Sequence, residues 1–419
     1  MKFDPAQNIQ NLQYFGEFGG VNPSIEDSST YTFLKASKME EVFEKEVEGC
    51  YLYSRHWNPT NRYLSQALAK MENTESAVVT ASGMAAITAT LLQLCSHGDE
   101  IVSSRIIYGG TYAFLKNVAP RFGIRTHFVD ITKIDEIEKA ITPFTKAVYC
   151  ESVSNPLLEV ADLEKIGQLC KRMGVKFIVD NTFAPMIVTP ANWGADIVIH
   201  SLTKFINGTS DTVAGAICGT NEFIHSLSDV THGMIMLLGP VMDSHRAASI
   251  LKNLHSLHLR IKRHSENAQY VAERLRSEGV DIRYPGLSDA PGHPVLQRLM
   301  NAGYGFGGML LLNMGTRQRA YDLMERMQAA NIGYLAVSLG FYKTLFSSPG
   351  SSTSSEIPEG ERESIGLTDG LVRISIGLDA NIGETVQKIL RCMDSVNQLF
   401  PSVGAARTDS SLYAMALQP

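Results

Sequence analysis

The feature that most restricts how this chain can fold is a rhythm running from Tyr51 to about Arg263. Apolar runs of strand length, at residues 77–80, 100–103, 125–129, 146–150, 176–180, 195–200 and 213–218, alternate with helix-length segments at 60–71, 83–94, 111–121, 134–141 and 162–172. The runs are apolar throughout and not at every second residue, the pattern of strands covered by helices on both faces. This predicts an α/β chain with a mostly parallel, doubly wound sheet of seven strands and right-handed crossovers. The last strands lie too close for helices between them, so an antiparallel edge is expected. Residues 51–265 form this large unit in the reading, and residues 1–50 an irregular arm with a charged helix at 39–48 that lies on a neighbouring subunit. A long helical stretch at 243–278 ends at Tyr284-Pro285-Gly286. Residues 266–400 make a smaller α+β unit with strands at 308–314 and 371–376 and a helix at 317–330. The tail, 401–419, is expected to be disordered. The Ser-rich run 347–355 reads as a linker by composition and as an active-site loop by position.

Composition narrows the class. The chain has 419 residues, 44% apolar and 19% charged, which is ordinary for a soluble globular protein. A net charge of −6 argues against a nucleic-acid surface, which needs a basic face. The six cysteines include no C-x-x-C pair, so reduced thiols are expected in place of disulfides or a metal site. The longest apolar window, 77–95, is broken by Thr80, Ser82, Gly83, Thr88, Thr90 and Gln93, so no membrane span is expected. The first residues lack an apolar signal core, and the cytoplasm is the expected compartment.

The chemistry gathers at the ends of two strands. The run 176–180 ends on Asp180, and the run 195–200 breaks into the turn Ser201-Leu202-Thr203-Lys204. In a parallel sheet both groups emerge at the carboxyl edge, where α/β ligands sit. A lysine there loses hydration unless its charge is shared or removed, for instance by joining an aldehyde as an imine. An acid for a pyridinium and a lysine for an aldehyde are the two demands of pyridoxal 5'-phosphate (PLP). A surface lysine and an N-capping aspartate would be the plainer account of either residue alone; the paired placement favours the cofactor.

Ala81-Ser82-Gly83-Met84 follows a strand and opens a helix, whose amides and dipole suit an anion, with the hydroxyls of Ser201 and Thr203 aimed at the same edge. Tyr108 could stack on a cofactor ring and move a proton, and Asn155 before Pro156 could hold a ring hydroxyl. Tyr53 and Arg55 pair a phenol with a guanidinium, a good phosphate grip. Arg373, alone in the apolar strand Leu371-Val372-Arg373-Ile374-Ser375, wants a carboxylate: an amino-acid substrate's or an internal acid's.

Tyr-Ser-Arg-x-x-Asn-Pro-Thr, Ser-Gly-Met, Tyr-Gly-Gly-Thr, Val-Asp-Asn-Thr, Ser-x-Thr-Lys and Leu-Val-Arg-Ile-Ser occur here in that order. From about Phe15 to Gln398 the chain resembles the Cys/Met-metabolism PLP enzymes, and among them most the plant-type methionine γ-lyases. The resemblance implies the aspartate aminotransferase-like fold type I. It also implies roles: Lys204 bonded to PLP, Asp180 on the ring nitrogen, Tyr108 on the ring face and Asn155 on its hydroxyl. Ser82, Gly83, Met84, Ser201 and Thr203 would take the phosphate, joined by Tyr53 and Arg55 of a neighbouring subunit. Arg373 and Ser338 would bind the substrate carboxylate, and Val337 and Tyr53 are also expected at the substrate. That cross-subunit clamp implies a homo-oligomer, a dimer of dimers in this family.

For a small amino-acid substrate these groups permit γ-elimination. Lys204 would take the Cα proton with its pKa lowered by burial, and Tyr108 would protonate the leaving group. Related cystathionine γ-lyases carry a glutamate where Val337 stands, which favours an uncharged tail such as methionine's thioether. Gly110 stands where bacterial methionine γ-lyases have cysteine, while Thr231 and His232 replace their Lys-Asp pair. Lys343, Asp243 and His245 depart from the plant-type pattern. Canavanine, O-acetylhomoserine and cystathionine remain alternative substrates, by elimination or by replacement at Cγ. β-Elimination, transamination and a non-catalytic protein on the same fold are the alternatives of other classes.

Overall fold

The computed structural model describes residues 3–44, 47, 49–352 and 356–399. The expected disordered tail and part of the Ser-rich run lie outside these residues. Among the described residues twelve strands form two sheets. The larger holds β1 (Ser76–Thr80), β2 (Glu100–Ser104), β3 (Arg125–Val129), β4 (Thr145–Glu151), β5 (Lys176–Asp180), β6 (Ile197–Ser201) and β7 (Gly215–Gly219), in the spatial order β1-β7-β6-β5-β4-β2-β3. Strand β7 runs antiparallel to both β1 and β6, and the other pairings are parallel. The antiparallel strand is therefore one place in from the edge, with β1 outside it.

Both faces of this sheet are buried, which is why its strands read as unbroken apolar runs. In β4 and β5, Val148, Cys150, Phe177 and Val179 join the core on one face, and Ala147, Tyr149 and Ile178 the core on the other. Burying Phe177 on one face and Ile178 on the other contributes roughly 2 kcal/mol or more each.

The smaller sheet holds β8 (Ile282–Arg283), β9 (Met309–Asn313), β10 (Gly333–Leu335), β11 (Thr344–Ser347) and β12 (Leu371–Ser375), in the order β10-β11-β12-β9-β8. The helix Leu257–Ser277 links the two units. Its Leu257 and Ile261 belong to the core of the first, and its Ala268, Val271, Ala272 and Leu275 to that of the second.

Three local departures from the sequence reading have physical causes. The segment expected as one helix at 111–121 is a helical turn at Gly109–Ala113, a π turn at Phe114–Val118 and a 3-10 turn at Ala119–Phe122, where Pro120 supplies no amide. The stretch expected as one helix at 243–278 divides into Ser244–Leu254 and Leu257–Ser277. At that break the Arg260 guanidinium takes the carbonyls of Asn253 at 2.9 Å and Ile206 at 2.8 Å, tying the break to the turn after Lys204. The N-terminal segment is less irregular than expected, with a helix at Pro5–Gln10; the charged helix expected at 39–48 is found at Ala36–Glu44, and residues 45, 46 and 48 of that expectation lie outside the described residues.

Candidate active site

Strands β4, β5 and β6 end together on Glu151, Asp180 and Ser201, at the carboxyl edge of the large sheet. A cavity of about 260 Å³ opens there, closed on one side by residues of the small sheet and its loops. Ser82, Gly83, Met84, Tyr108, Asn155, Asp180, Ser201, Thr203, Lys204, Ser338 and Arg373 all line it.

One wall is the start of the helix Gly83–Leu94. Ser82 caps it, its hydroxyl accepting the Ala85 amide at 3.0 Å, which leaves Gly83 and Met84 as the lining residues of the first turn. A Cβ on Gly83 would come within 2.8 Å of the Ser201 Cβ, so only glycine allows this helix and the β6 turn to close into one cradle. The Ser201 amide is held by the Thr182 hydroxyl at 2.7 Å, and Thr203 is hydrogen-bonded to Ala214.

The Lys204 amine donates to the Ser338 hydroxyl at 2.9 Å. Burial, with the nearby Arg373 charge, draws its pKa down to about 8. Ser338 is a non-glycine residue with φ of +98°, in the left-handed region, a strain of the kind found at ligand sites. The buried Asp180 accepts from the Thr182 amide at 3.0 Å and from the Tyr149 hydroxyl at 3.4 Å. Behind it the fully buried His200 and Glu72 meet at 2.6 Å, and the Asn181 side chain donates to the same Glu72 oxygen.

Arg373 is only 2% exposed, and its donors go to neutral acceptors: the Asn155 side chain at 2.9 Å, the Ser338 carbonyl at 3.1 Å and the Ser347 hydroxyl at 3.3 Å. Burial lowers its pKa to about 10, so it stays charged near neutrality. Among the described residues no salt bridge to a carboxylate engages it. The Asn155 side chain, expected on a ring hydroxyl, here orients this guanidinium.

Tyr53, Arg55 and Val337 do not line this cavity. Tyr53 is 42% exposed with the Arg55 guanidinium 5.3 Å above its ring, and Val337 is 58% exposed. Lys343 also lies elsewhere: its amine bonds Asn331 and stands 4.9 Å over the Tyr334 ring. Asp243 caps the helix Ser244–Leu254, and His245 faces Asp27 at 3.5 Å. Gly110 matters by its bareness, since a Cβ there would come within 2.6 Å of the Tyr108 ring. The sequence reading gave no role to Thr182 or Glu151, while Ser347 opens the Ser-rich run expected as a linker or an active-site loop. Glu151 ends its strand on an acid as Asp180 does, a signal that could have found it. No group of His, Cys, Asp or Glu able to hold a metal, and no helix long and apolar enough to cross a membrane, occurs among the described residues.

A lysine amine, a helix start and a buried acid lining one cavity suit an aldehyde that carries a phosphate and a basic ring nitrogen. A profile for the Cys/Met metabolism PLP-dependent enzymes matches residues 6–391, and the chain belongs to this family. It is an enzyme of γ-lyase type with PLP as its cofactor. It is 44% identical to a methionine γ-lyase of Arabidopsis thaliana over 89% of this chain and 86% of that one. It is 35% identical to a cystathionine γ-lyase of Bacillus subtilis, over 88% and 95%. Its fold is similar to that of an O-acetylhomoserine (thiol)-lyase structure from Campylobacter jejuni that holds a pyridoxyl-lysine monophosphate. There the TM-score is 0.86 at 28% identity, over 94% of this chain and 100% of that one.

Proposed function

We propose that the chain cleaves L-methionine with water to methanethiol, 2-oxobutanoate and ammonia. The observation that carries this is a buried Arg373 whose partners are all neutral, beside the Lys204 amine and a lining of Met84, Ile87, Val153, Phe183, Val213 and Leu339. The guanidinium suits an α-carboxylate and the apolar lining suits an uncharged thioether tail. PLP, when bound, withdraws electrons from the substrate's Cα and so makes its protons labile. Gly83, Met84, Ser201 and Thr203 would hold the phosphate, with Ser82 holding the helix start; Asp180 would hold the ring nitrogen's proton. Lys204, near pKa 8, exchanges protons with the substrate carbons. Burial raises the Tyr108 pKa, so its phenol keeps a proton to give to the departing thiolate.

Offered methionine, cystathionine, homocysteine, O-acetylhomoserine and canavanine, the enzyme should yield methanethiol and 2-oxobutanoate from methionine. The expected kcat/KM lies about tenfold or more above the others, a margin that contacts to one side chain can supply. Faster release of homoserine from canavanine, or of acetate from O-acetylhomoserine, would replace methionine as the substrate.

The exposed Tyr53 and Arg55 support a further part of the reading: they reach the phosphate of a neighbouring subunit, in a dimer that pairs into a tetramer. We place this enzyme in the cytoplasm, where its six free thiols stay reduced. Arg55→Ala should then weaken PLP retention about tenfold, the worth of one charge-assisted bond. Equilibrium dialysis that finds wild-type affinity in this variant excludes the clamp.

A further inference from the structure

Among the described residues Glu151 is the one acid in the cavity lining besides Asp180, and the reaction described above gives it no part. Its residue is 7% exposed. One carboxylate oxygen accepts the Tyr108 amide at 2.7 Å, and the other accepts the Asn155 amide, also at 2.7 Å. Among the described residues no cation pairs with it. It sits at the end of β4 directly beside Asp180 at the end of β5, as their pairing register shows. Two buried carboxyl groups side by side are costly. Burial and the Asp180 charge push the Glu151 pKa up, while the two amides pull it down. A side chain held only for packing would be better apolar at such a position.

The amides it grips belong to two separate loops. Tyr108 starts the helical turn after β2, and Asn155 lies in the loop after β4. The Asn155 side chain in turn receives the Arg373 guanidinium at 2.9 Å. A single carboxylate therefore fixes, through backbone, the aromatic ring at the cavity and the amide that orients the arginine.

We propose that Glu151 is a positioning residue: by bridging the Tyr108 and Asn155 amides it sets the Tyr108 ring and, through Asn155, the aim of Arg373 at the substrate carboxylate. This rests on the PLP-enzyme reading of the site but not on methionine being the substrate. In Glu151→Gln the side-chain oxygen keeps one amide, while its NH2 group opposes the other. In Glu151→Asp the shorter side chain cannot span both.

The test uses the holoenzyme and a probe that is not turned over, L-norleucine, which keeps methionine's shape with a methylene in place of sulfur. Its binding is read as a change in the bound cofactor's absorbance. Both variants are expected to bind L-norleucine about tenfold more weakly or worse, and to lose on the order of 100-fold in kcat/KM, the scale of a 1 Å misplacement. The cofactor's circular dichroism should change as Tyr108 shifts, while PLP content and melting temperature stay near wild type. Wild-type L-norleucine binding in both variants overturns the proposal, as does a loss that only tracks a lowered melting temperature. If the wild-type enzyme proves inert toward methionine, the L-norleucine and dichroism readouts still decide the matter.

Discussion

Lys204→Ala is expected to lower turnover by a factor on the order of 10⁴ and to leave PLP bound without a covalent link. The effect is large because one amine serves twice, as the anchor of the cofactor's aldehyde and as the group that moves the substrate's protons. The measurements are the rate of 2-oxobutanoate release and the fixation of PLP to protein by borohydride, which should fall to background. Residual turnover within about tenfold of wild type would remove Lys204 from the mechanism. The pH dependence supplies a second check with a definite sign. The folded pKa lies near 8 against an ordinary 10.5, because burial disfavours the ammonium form. Only the free amine attacks an aldehyde. Covalent capture of PLP by cofactor-free enzyme should therefore rise as pH climbs through about 8 and level off above it. A rate still climbing toward pH 10 would mean that burial leaves this amine unperturbed.

The parts of this site that were legible in the sequence are those set by strand ends. Asp180 and Lys204 follow apolar runs, and any parallel sheet brings such ends to one edge, so their meeting needed no tertiary detail. The Ser82-Gly83 helix start was legible for the same reason. What the sequence hid depends on contacts between distant segments. Asn155 reads as a polar residue before a proline; its service to Arg373 arises from a neighbour 218 positions away in the chain. Val337 adjoins Ser338, yet the left-handed backbone at Ser338 turns the two side chains to different surroundings, one to the Lys204 amine and one to the exterior. The short strands β8, β10 and β11 carry too few residues for a period to show. Glu151 was overlooked although it ends its strand on an acid as Asp180 does. Here its partners are backbone amides, which leave no mark in a sequence.

Arg373→Leu is the substitution that best separates function from folding. The arginine lies on β12, with Leu371, Val372 and Ile374 of that strand packed into core, and burial alone would favour a leucine. A buried cation with neutral partners contributes little to stability, because its desolvation offsets its hydrogen bonds. The variant should melt within a few degrees of wild type, the cost of leaving Asn155, Ser347 and the Ser338 carbonyl without this donor being balanced by relief of the buried charge. Substrate binding should suffer heavily. Losing a desolvated, hydrogen-bonded charge partner costs roughly 2–5 kcal/mol, or about 30- to 5000-fold, and it should appear in KM and kcat/KM more than in kcat. Arg373→Lys is expected to recover little of this, since an ammonium cannot reproduce the planar fork that meets a carboxylate with two donors. Steady-state kinetics and thermal melts on the two variants decide the point. If Arg373→Leu unfolds the protein, the guanidinium is a structural tie; if it keeps wild-type KM, the α-carboxylate is bound elsewhere. A stable variant with KM raised about 30-fold or more identifies Arg373 as a charge the fold keeps for its substrate.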